Sequence, residues 1–202
     1  MSLEQAVECL QHGGIIIYPT ETFFGIGCKA CDADAVARVF LAKRRKFNLP
    51  LPIIAANRAQ VEKVAFWDAR LDTLARQFWP GPLTVLLAAR DCVPGMLTGG
   101  TGRVAVRVSS HVGACRLAEQ AGEALVASSA NISGQPPVTT LDGLDPALLA
   151  ATDGLLGLGE QPQGGLPSTL VEFTPQGPLR LLRNGAVPSD ALAAAGFSVV
   201  AS

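Results

Sequence analysis

The apolar residues of this chain come in runs too short for helices, separated by stretches with helical spacing, and that alternation restricts the fold more than any other feature. Residues 14–18, 51–55, 83–89, 103–108 and 124–128 read as strands, several of them apolar throughout, as strands buried on both faces are. Between them lie helical patterns. Ser2 opens one with a Ser-x-x-Gln capping box, its apolar face built from Leu3, Ala6, Val7 and Leu10, and Gly13-Gly14 stops it. Asp32 or Asp34 caps a second, carrying Val36, Val39 and Phe40, and further helices are expected over 60–65, 71–79, 112–121 and 146–151. Residues 168–173 and 179–183 form a hairpin across Thr174-Pro175-Gln176-Gly177, a turn with Pro at its second position. Strands interleaved with helices and a closing hairpin predict an α/β fold: one mixed parallel/antiparallel sheet with helices packed on it. No repeat or linker divides the chain, so residues 1–202 are expected to form a single domain.

Composition narrows the function classes. Hydrophobic residues make up 49% and charged residues 16%, which excludes a disordered chain. No apolar run approaches the ~18 residues that cross a bilayer. Met1-Ser2-Leu3-Glu4 is acidic and lacks a signal-peptide pattern, so a cytoplasmic protein without membrane contact is expected. The five cysteines, an odd number, are no disulfide framework. Cys28 and Cys31 form a C-x-x-C pair with no second pair and no suitably spaced histidine, and both are expected to be packed thiols. Net charge is −1, but fourteen of the sixteen Lys and Arg residues lie between Lys29 and Arg116, and none lies between Leu117 and Leu179. Such segregation produces a local positive field on a near-neutral protein.

Familiar catalytic signatures are missing. No Gly-Lys-Ser/Thr occurs, and Gly25-Ile26-Gly27-Cys28-Lys29-Ala30 fits a dinucleotide-binding pattern without the acidic residue that should follow ~20 positions later. Two histidines and no G-x-S-x-G leave a Ser-His-Asp hydrolase unsupported. What remains are hydroxyls and cations near strand ends. Arg103, Ala105 and Arg107 share one face of a strand while Val104, Val106 and Val108 share the other, so burial of the valines aims both guanidiniums in one direction. Lys43-Arg44-Arg45-Lys46 forms a cationic run at a helix C-terminus, where the dipole accounts for one or two charges more easily than for four. Ser128-Ser129-Ala130-Asn131-Ile132-Ser133-Gly134 leaves a buried strand as either an Asn/Ser turn or a cradle for an anion or ribose.

Seven motifs in order give a more specific reading. Tyr18-Pro19-Thr20-Glu21-Thr22 with Gly25, Lys43-x-Arg45 before Pro50-Leu51, and Trp79-Pro80-Gly81-Pro82-Leu83-Thr84 open the series. Val104-Ala105-Val106-Arg107, Ser128-Ser129-Ala130-Asn131-x-Ser133-Gly134, Pro167-Ser168-Thr169 and Leu182-Arg183-x-Gly185 complete it. Across residues 13–185 the chain resembles the YrdC/TsaC family, the threonylcarbamoyl-AMP synthases. The resemblance implies a twisted α/β sheet with a positively charged concave face. It also implies an enzyme, a nucleotidyltransferase, that forms L-threonylcarbamoyladenylate and pyrophosphate from L-threonine, bicarbonate and ATP. Magnesium would accompany the ATP, and the product would feed the machinery that modifies tRNA. By motif, Thr22, Arg107 and Ser168 should line the threonine side, and Lys43, Arg45, Ser129, Asn131 and Arg183 should face the nucleotide. Arg103 and Pro137 stand at two further positions that touch the nucleotide in relatives, where residue types vary. No acid-base residue or metal ligand is assigned.

Departures from the pattern bear on substrate choice. Lys46 stands where Pro commonly follows the Arg, Leu49 and Ile54 occupy positions often filled by Asn and His, and Phe23-Phe24 replaces a more usual Val-Tyr. A histidine contact with threonine is therefore not expected. The short tail after Arg183 predicts the single-domain form of the synthase. Two other readings stay open: a module that binds tRNA or other RNA through the basic concavity without chemistry, and a paralogue that makes another carbamoyl-adenylate.

Overall fold

The computed structural model describes residues 1–175 and 177–201. Gln176, part of the expected hairpin turn, lies outside the described residues. Helix α1 (Leu3–Gln11) has the complete capping box at Ser2 and Gln5 and buries Ala6 and Leu10. Strands β1 (Ile16–Pro19) and β2 (Phe24–Gly27) pair antiparallel across a four-residue loop, Thr20 to Phe23. Asp32 caps α2 (Ala33–Ala42). Then follow β3 (Ile53–Ala55), α3 (Arg58–Val64), α4 (Leu71–Phe78), β4 (Leu83–Ala88), β5 (Arg103–Val108) and α5 (Val112–Ala121). The remainder comprises β6 (Leu125–Val126), β7 (Ser128–Ser129), α6 (Pro146–Ala150), β8 (Gly154–Leu155), β9 (Thr169–Phe173), β10 (Leu179–Arg183), α7 (Ser189–Ala194) and β11 (Val199–Ala201).

The mixed α/β pairing expected from the pattern is present, divided between two sheets. One has the order β7-β2-β1-β8 and the other β11-β10-β9-β4-β5-β3-β6. The run read as one strand over 124–128 is where they meet: β6 pairs with β3 in the larger sheet, and two residues later β7 pairs with β2 in the smaller. A strand that changes sheets leaves both ladders after a few residues, which no periodicity in the sequence announces. Gly27 makes the junction feasible, because a Cβ there would overlap the carbonyl oxygen of Val126. This close approach, rather than dinucleotide binding, is the structural reason for the second glycine of Gly25-x-Gly27.

Strand β1 explains why its sequence is apolar throughout. Ile15 and Ile17 enter the main core with Phe24, Ile26, Ile53 and Val85, while Ile16 and Tyr18 enter a second core with Ala114 and Leu117 of α5 and Ala6 and Leu10 of α1. Both faces are thus covered. Burial of a Leu or Ile side chain contributes about 1.5–3 kcal/mol, so this double-sided strand anchors the loop that follows it. Cys28 is buried in the main core, as a packed thiol should be.

Candidate functional site

A cavity of about 160 Å³ lies among the β1–β2 loop, β2, β5, β7 and the entrance to β9. Arg45, Arg107 and Arg183 line it with Thr22, Ser129 and Ser168, and no carboxylate is among the lining residues. Six of the ten positions singled out in the sequence therefore converge on one space. A larger cavity of about 590 Å³ also has Thr22 in its wall, together with Glu21 and His111.

Arg107 is buried, with 4% of its surface exposed. It donates from Nε to Glu21 at 2.8 Å, and the other carboxylate oxygen of Glu21 accepts from Ser109 Oγ at 2.7 Å. Burial acts to raise the Glu21 pKa, but the Arg107 charge and the hydrogen bonds from Arg107 and Ser109 outweigh it and hold the carboxyl below its usual range. Holding the guanidinium by Nε orients its terminal nitrogens, for which the described residues supply no hydrogen-bond partner, toward the cavity that Arg107 lines. The β1–β2 loop presents Glu21 in this position because Thr20 Oγ1 donates to Phe23 O at 2.7 Å and accepts from the Thr22 and Phe23 amides.

Ser168 is held from two sides. Its Oγ accepts from Thr84 at 2.8 Å and from Arg183 at 3.1 Å, and its carbonyl accepts two further bonds from the same guanidinium. Gly185 permits this, since a Cβ there would strike the backbone of residues 167–169. Burial and the neighbouring Arg107 lower the Arg183 pKa, and burial lowers that of Arg45. Three guanidiniums around one space, buried at Arg107, half-buried at Arg45 and open to solvent at Arg183, make it favourable for an anion.

The cationic run after α2 is sorted by its backbone. Arg44 has φ 51°, its amide bonds to Leu41 O, and the Arg45 amide reaches back to Phe40 O. This is a Schellman ending with arginine where glycine is usual. The turn sends Lys43 inward and Arg45 to the cavity wall, where Leu49 O and Pro50 O accept from its guanidinium at 3.1 Å each, while Arg44 and Lys46 stay exposed. Backbone strain of this kind clusters at functional sites.

The structure places the other four positions differently. Lys43 is fully buried behind the cavity wall, where Nζ donates to the carbonyls of Ser129 and, at 2.7 Å, Asn131. Asn131 turns inward: Oδ1 accepts from Ser129 Oγ, and Nδ2 donates to Ile132 O and Gln135 O. Both residues brace the Ser128–Asn131 segment from behind, and neither is in the cavity lining. The reason is local: carbonyls at a strand exit need donors, and an inward Lys and Asn supply them. Arg103 lines a separate depression with Phe66, Trp67 and Phe173, paired to Glu172. Pro137 is exposed on the loop after Asn131 and outside the cavity. Sequence reasoning named Glu21 and Thr84 only as parts of motifs and passed over Ser109; the partners of these residues lie 84 to 88 positions away. The adjacency of Glu21 to two threonines in a tight loop was the one available signal.

These features define an α/β protein with an arginine-lined cavity at a junction of two sheets. A family model described as "Telomere recombination" (Sua5/YciO/YrdC) matches residues 8–185, and the chain belongs to that family. It is 36% identical over 192 residues to the threonylcarbamoyl-AMP synthase of Xanthomonas campestris pv. campestris (strain B100), covering 93% of this chain and 97% of the relative. It is 37% identical over 182 residues to the threonylcarbamoyl-AMP synthase of Pyrococcus abyssi, covering 90% of this chain but only 53% of that longer relative. The crystal structure of P. abyssi Sua5 complexed with L-threonine superposes with a TM-score of 0.88 at 33% identity, over 98% of this chain and 58% of that one.

Proposed function

We propose that this chain is a threonylcarbamoyl-AMP synthase. It joins L-threonine, bicarbonate and ATP into L-threonylcarbamoyladenylate, with pyrophosphate and water as the other products, and so supplies the threonylcarbamoyl group for tRNA modification. The observation that carries the reading is the convergence of Arg107, Arg183, Arg45, Ser168, Thr22 and Ser129 on one cavity, in a chain whose relatives bear that name along nearly its whole length.

The chemistry asks for what the cavity offers. The threonine amine takes up CO2 from bicarbonate to give an N-carboxylate, whose oxygen attacks the α-phosphorus of ATP and expels pyrophosphate. Two carboxylates and a polyphosphate must share one space, so positioning and charge stabilisation dominate. Arg107, oriented by Glu21, presents its terminal nitrogens to the threonine carboxylate, with the Ser168 and Thr22 hydroxyls beside it. Arg183 stands between Ser168 and the nucleotide, where Arg45 and Ser129 meet phosphate or ribose. Lys43 and Asn131 act on the nucleotide side by holding the Ser129 segment. Magnesium would arrive with ATP and neutralise phosphate charge. The lining offers hydroxyls and guanidiniums and Glu21 is committed to Arg107, so phosphate oxygens and water would supply the ligands. Residues 1–202 would act as one catalytic unit in the cytoplasm, beside the tRNA that the product modifies.

The test is incubation with ATP, threonine and bicarbonate, with mass detection of the adenylate and of pyrophosphate. Pyrophosphate release should require threonine and bicarbonate together. Equal ATP breakdown with either omitted would make the protein a simple nucleotidase, and salt-sensitive RNA binding indifferent to ATP would favour a binding module.

A further inference from the structure

Outside the cavity, the sulfurs of Cys31 and Cys92 approach to 2.7 Å although the residues are 61 positions apart. That is only about 0.7 Å longer than a disulfide bond. Cys28, the C-x-x-C partner of Cys31 in the sequence, is buried in the core instead. Each member of the spatial pair is fixed by its own element. The Cys31 amide donates to Glu123 at 2.8 Å, immediately before the cap of α2, and the Cys92 thiol, in the loop after β4, reaches Lys63 O at 3.4 Å. Glu123 is itself anchored by Lys29 at 3.3 Å. Neither cysteine lines the arginine cavity, so the pair is unexplained by the proposed reaction.

We propose that Cys31 and Cys92 are a dithiol site that takes a low-molecular-weight disulfide as oxidant and closes into a reversible intramolecular bridge. Cys92 is exposed and Cys31 half-buried, which sets the order of events. The Cys92 thiolate attacks one sulfur of the oxidant, and the first reduced thiol leaves with the proton that Cys92 gave up. The Cys31 thiolate then attacks the Cys92 sulfur of the mixed disulfide and expels the second. Two protein thiols are oxidised to one disulfide, and one external disulfide is reduced to two thiols. Burial, the contact with Cys92 and the nearby Glu123 charge push the Cys31 thiol well above its ordinary range. The second step should therefore be the slow one and should accelerate as pH rises.

The experiment is exposure of the reduced full chain to oxidised glutathione, followed by intact mass, thiol titration and non-reducing peptide mapping. The expected protein is about 2 Da lighter with two fewer thiols, has a peptide joining Cys31 to Cys92, and reverts on reduction. Tying residues this far apart should raise the melting temperature by roughly 5–15 °C. Cys28→Ser should still close the bridge, whereas Cys92→Ser should not. Retention of all thiols, a glutathione adduct that persists on Cys92, or a bridge between other cysteines would each overturn the proposal. The intact-mass result on the unsubstituted chain decides the matter even if a variant fails to fold.

Discussion

The two ends of strand β5 carry arginines four residues apart on the same face, each paired with a glutamate, and they have opposite fates. Arg107 is buried, and its partner Glu21 comes from the β1–β2 loop of the smaller sheet. Arg103 leaves 39% of its side chain exposed, and its partner Glu172 comes from β9 and is shared with Arg180. Strand alternation sets the face but does not say what covers each end of it. At the Arg107 end the second sheet closes over the strand and makes a cavity. At the Arg103 end nothing comparable does among the described residues, and the arginine, which also reaches Leu86 O, serves as a tie across β5, β4 and β9. Identical chemistry thus becomes a buried cavity wall or a surface strut according to its cover.

Substitution at the covered end should have the largest effect. A charged hydrogen bond to a carboxylate contributes about 1.5–3 kcal/mol, or roughly ten- to a hundred-fold in affinity. Arg107→Ala should raise the threonine KM by about that factor in steady-state assays, with melting curves to confirm folding. Arg107→Lys should recover part of the loss, since an ammonium keeps the charge without the planar fork. Arg116, outside every motif and on α5, is the control. If Arg107→Ala and Arg116→Ala behave alike, the contrast between the two ends of β5 has no functional meaning.

Lys43 extends the comparison to a buried cation without a carboxylate: no salt bridge to it is present among the described residues, and two carbonyls take its protons. Burial and then the Arg45 charge lower its pKa to about 7. The unfolded chain keeps that proton to about pH 10.4. Between pH 7 and that value the unfolded state binds more protons, so folding stability rises with pH. Denaturant titrations should show wild type gaining on the order of 1–2 kcal/mol over Lys43→Met between pH 6 and 8.5. Parallel pH profiles for the two proteins would mean that Lys43 is charged throughout.

Glu21→Gln sharpens the comparison from the partner's side. The amide preserves shape and an acceptor but removes the charge that holds the Arg107 guanidinium by Nε. A several-fold rise in threonine KM, about 1 kcal/mol, with little change in kcat at saturating threonine is expected. A lower melting temperature with unchanged KM would reduce Glu21 to a structural role.

Legibility in the sequence follows the range of the interactions. Strands β4 and β5 and helices α1, α2 and α5 are readable because period, caps and breakers are local. Arg107 is readable because its alternation with valines is strict and its motif specific. The inward roles of Lys43 and Asn131 are not, since they depend on carbonyls of a strand exit 86 to 88 residues from the lysine. Strands β8 and β11 escape notice for a different reason: two or three residues carry no period, and each exists only because a neighbour offers a free edge. Helix α7, alanine-rich with Leu192 its one buried residue, lacks the stripe that marks the others.

The smallest effect should come from the open end of β5. Glu172 is buried and accepts from both Arg103 and, at 3.0 Å, Arg180. Loss of one arginine therefore leaves the carboxylate paired, and the penalty of an uncompensated buried charge does not arise. Arg103→Ala should cost no more than about 1 kcal/mol, as expected for a partly exposed pair, and threonine KM should stay within two-fold or so of wild type. The double variant Arg103→Ala/Arg180→Ala strands Glu172 and should destabilise by more than the sum of the two single changes, a coupling that denaturant melts of all three proteins measure directly. Should Arg103→Ala alone raise the KM for ATP as Arg107→Ala raises that for threonine, the open end of the strand also reaches substrate, and the cavity described above is only part of the site.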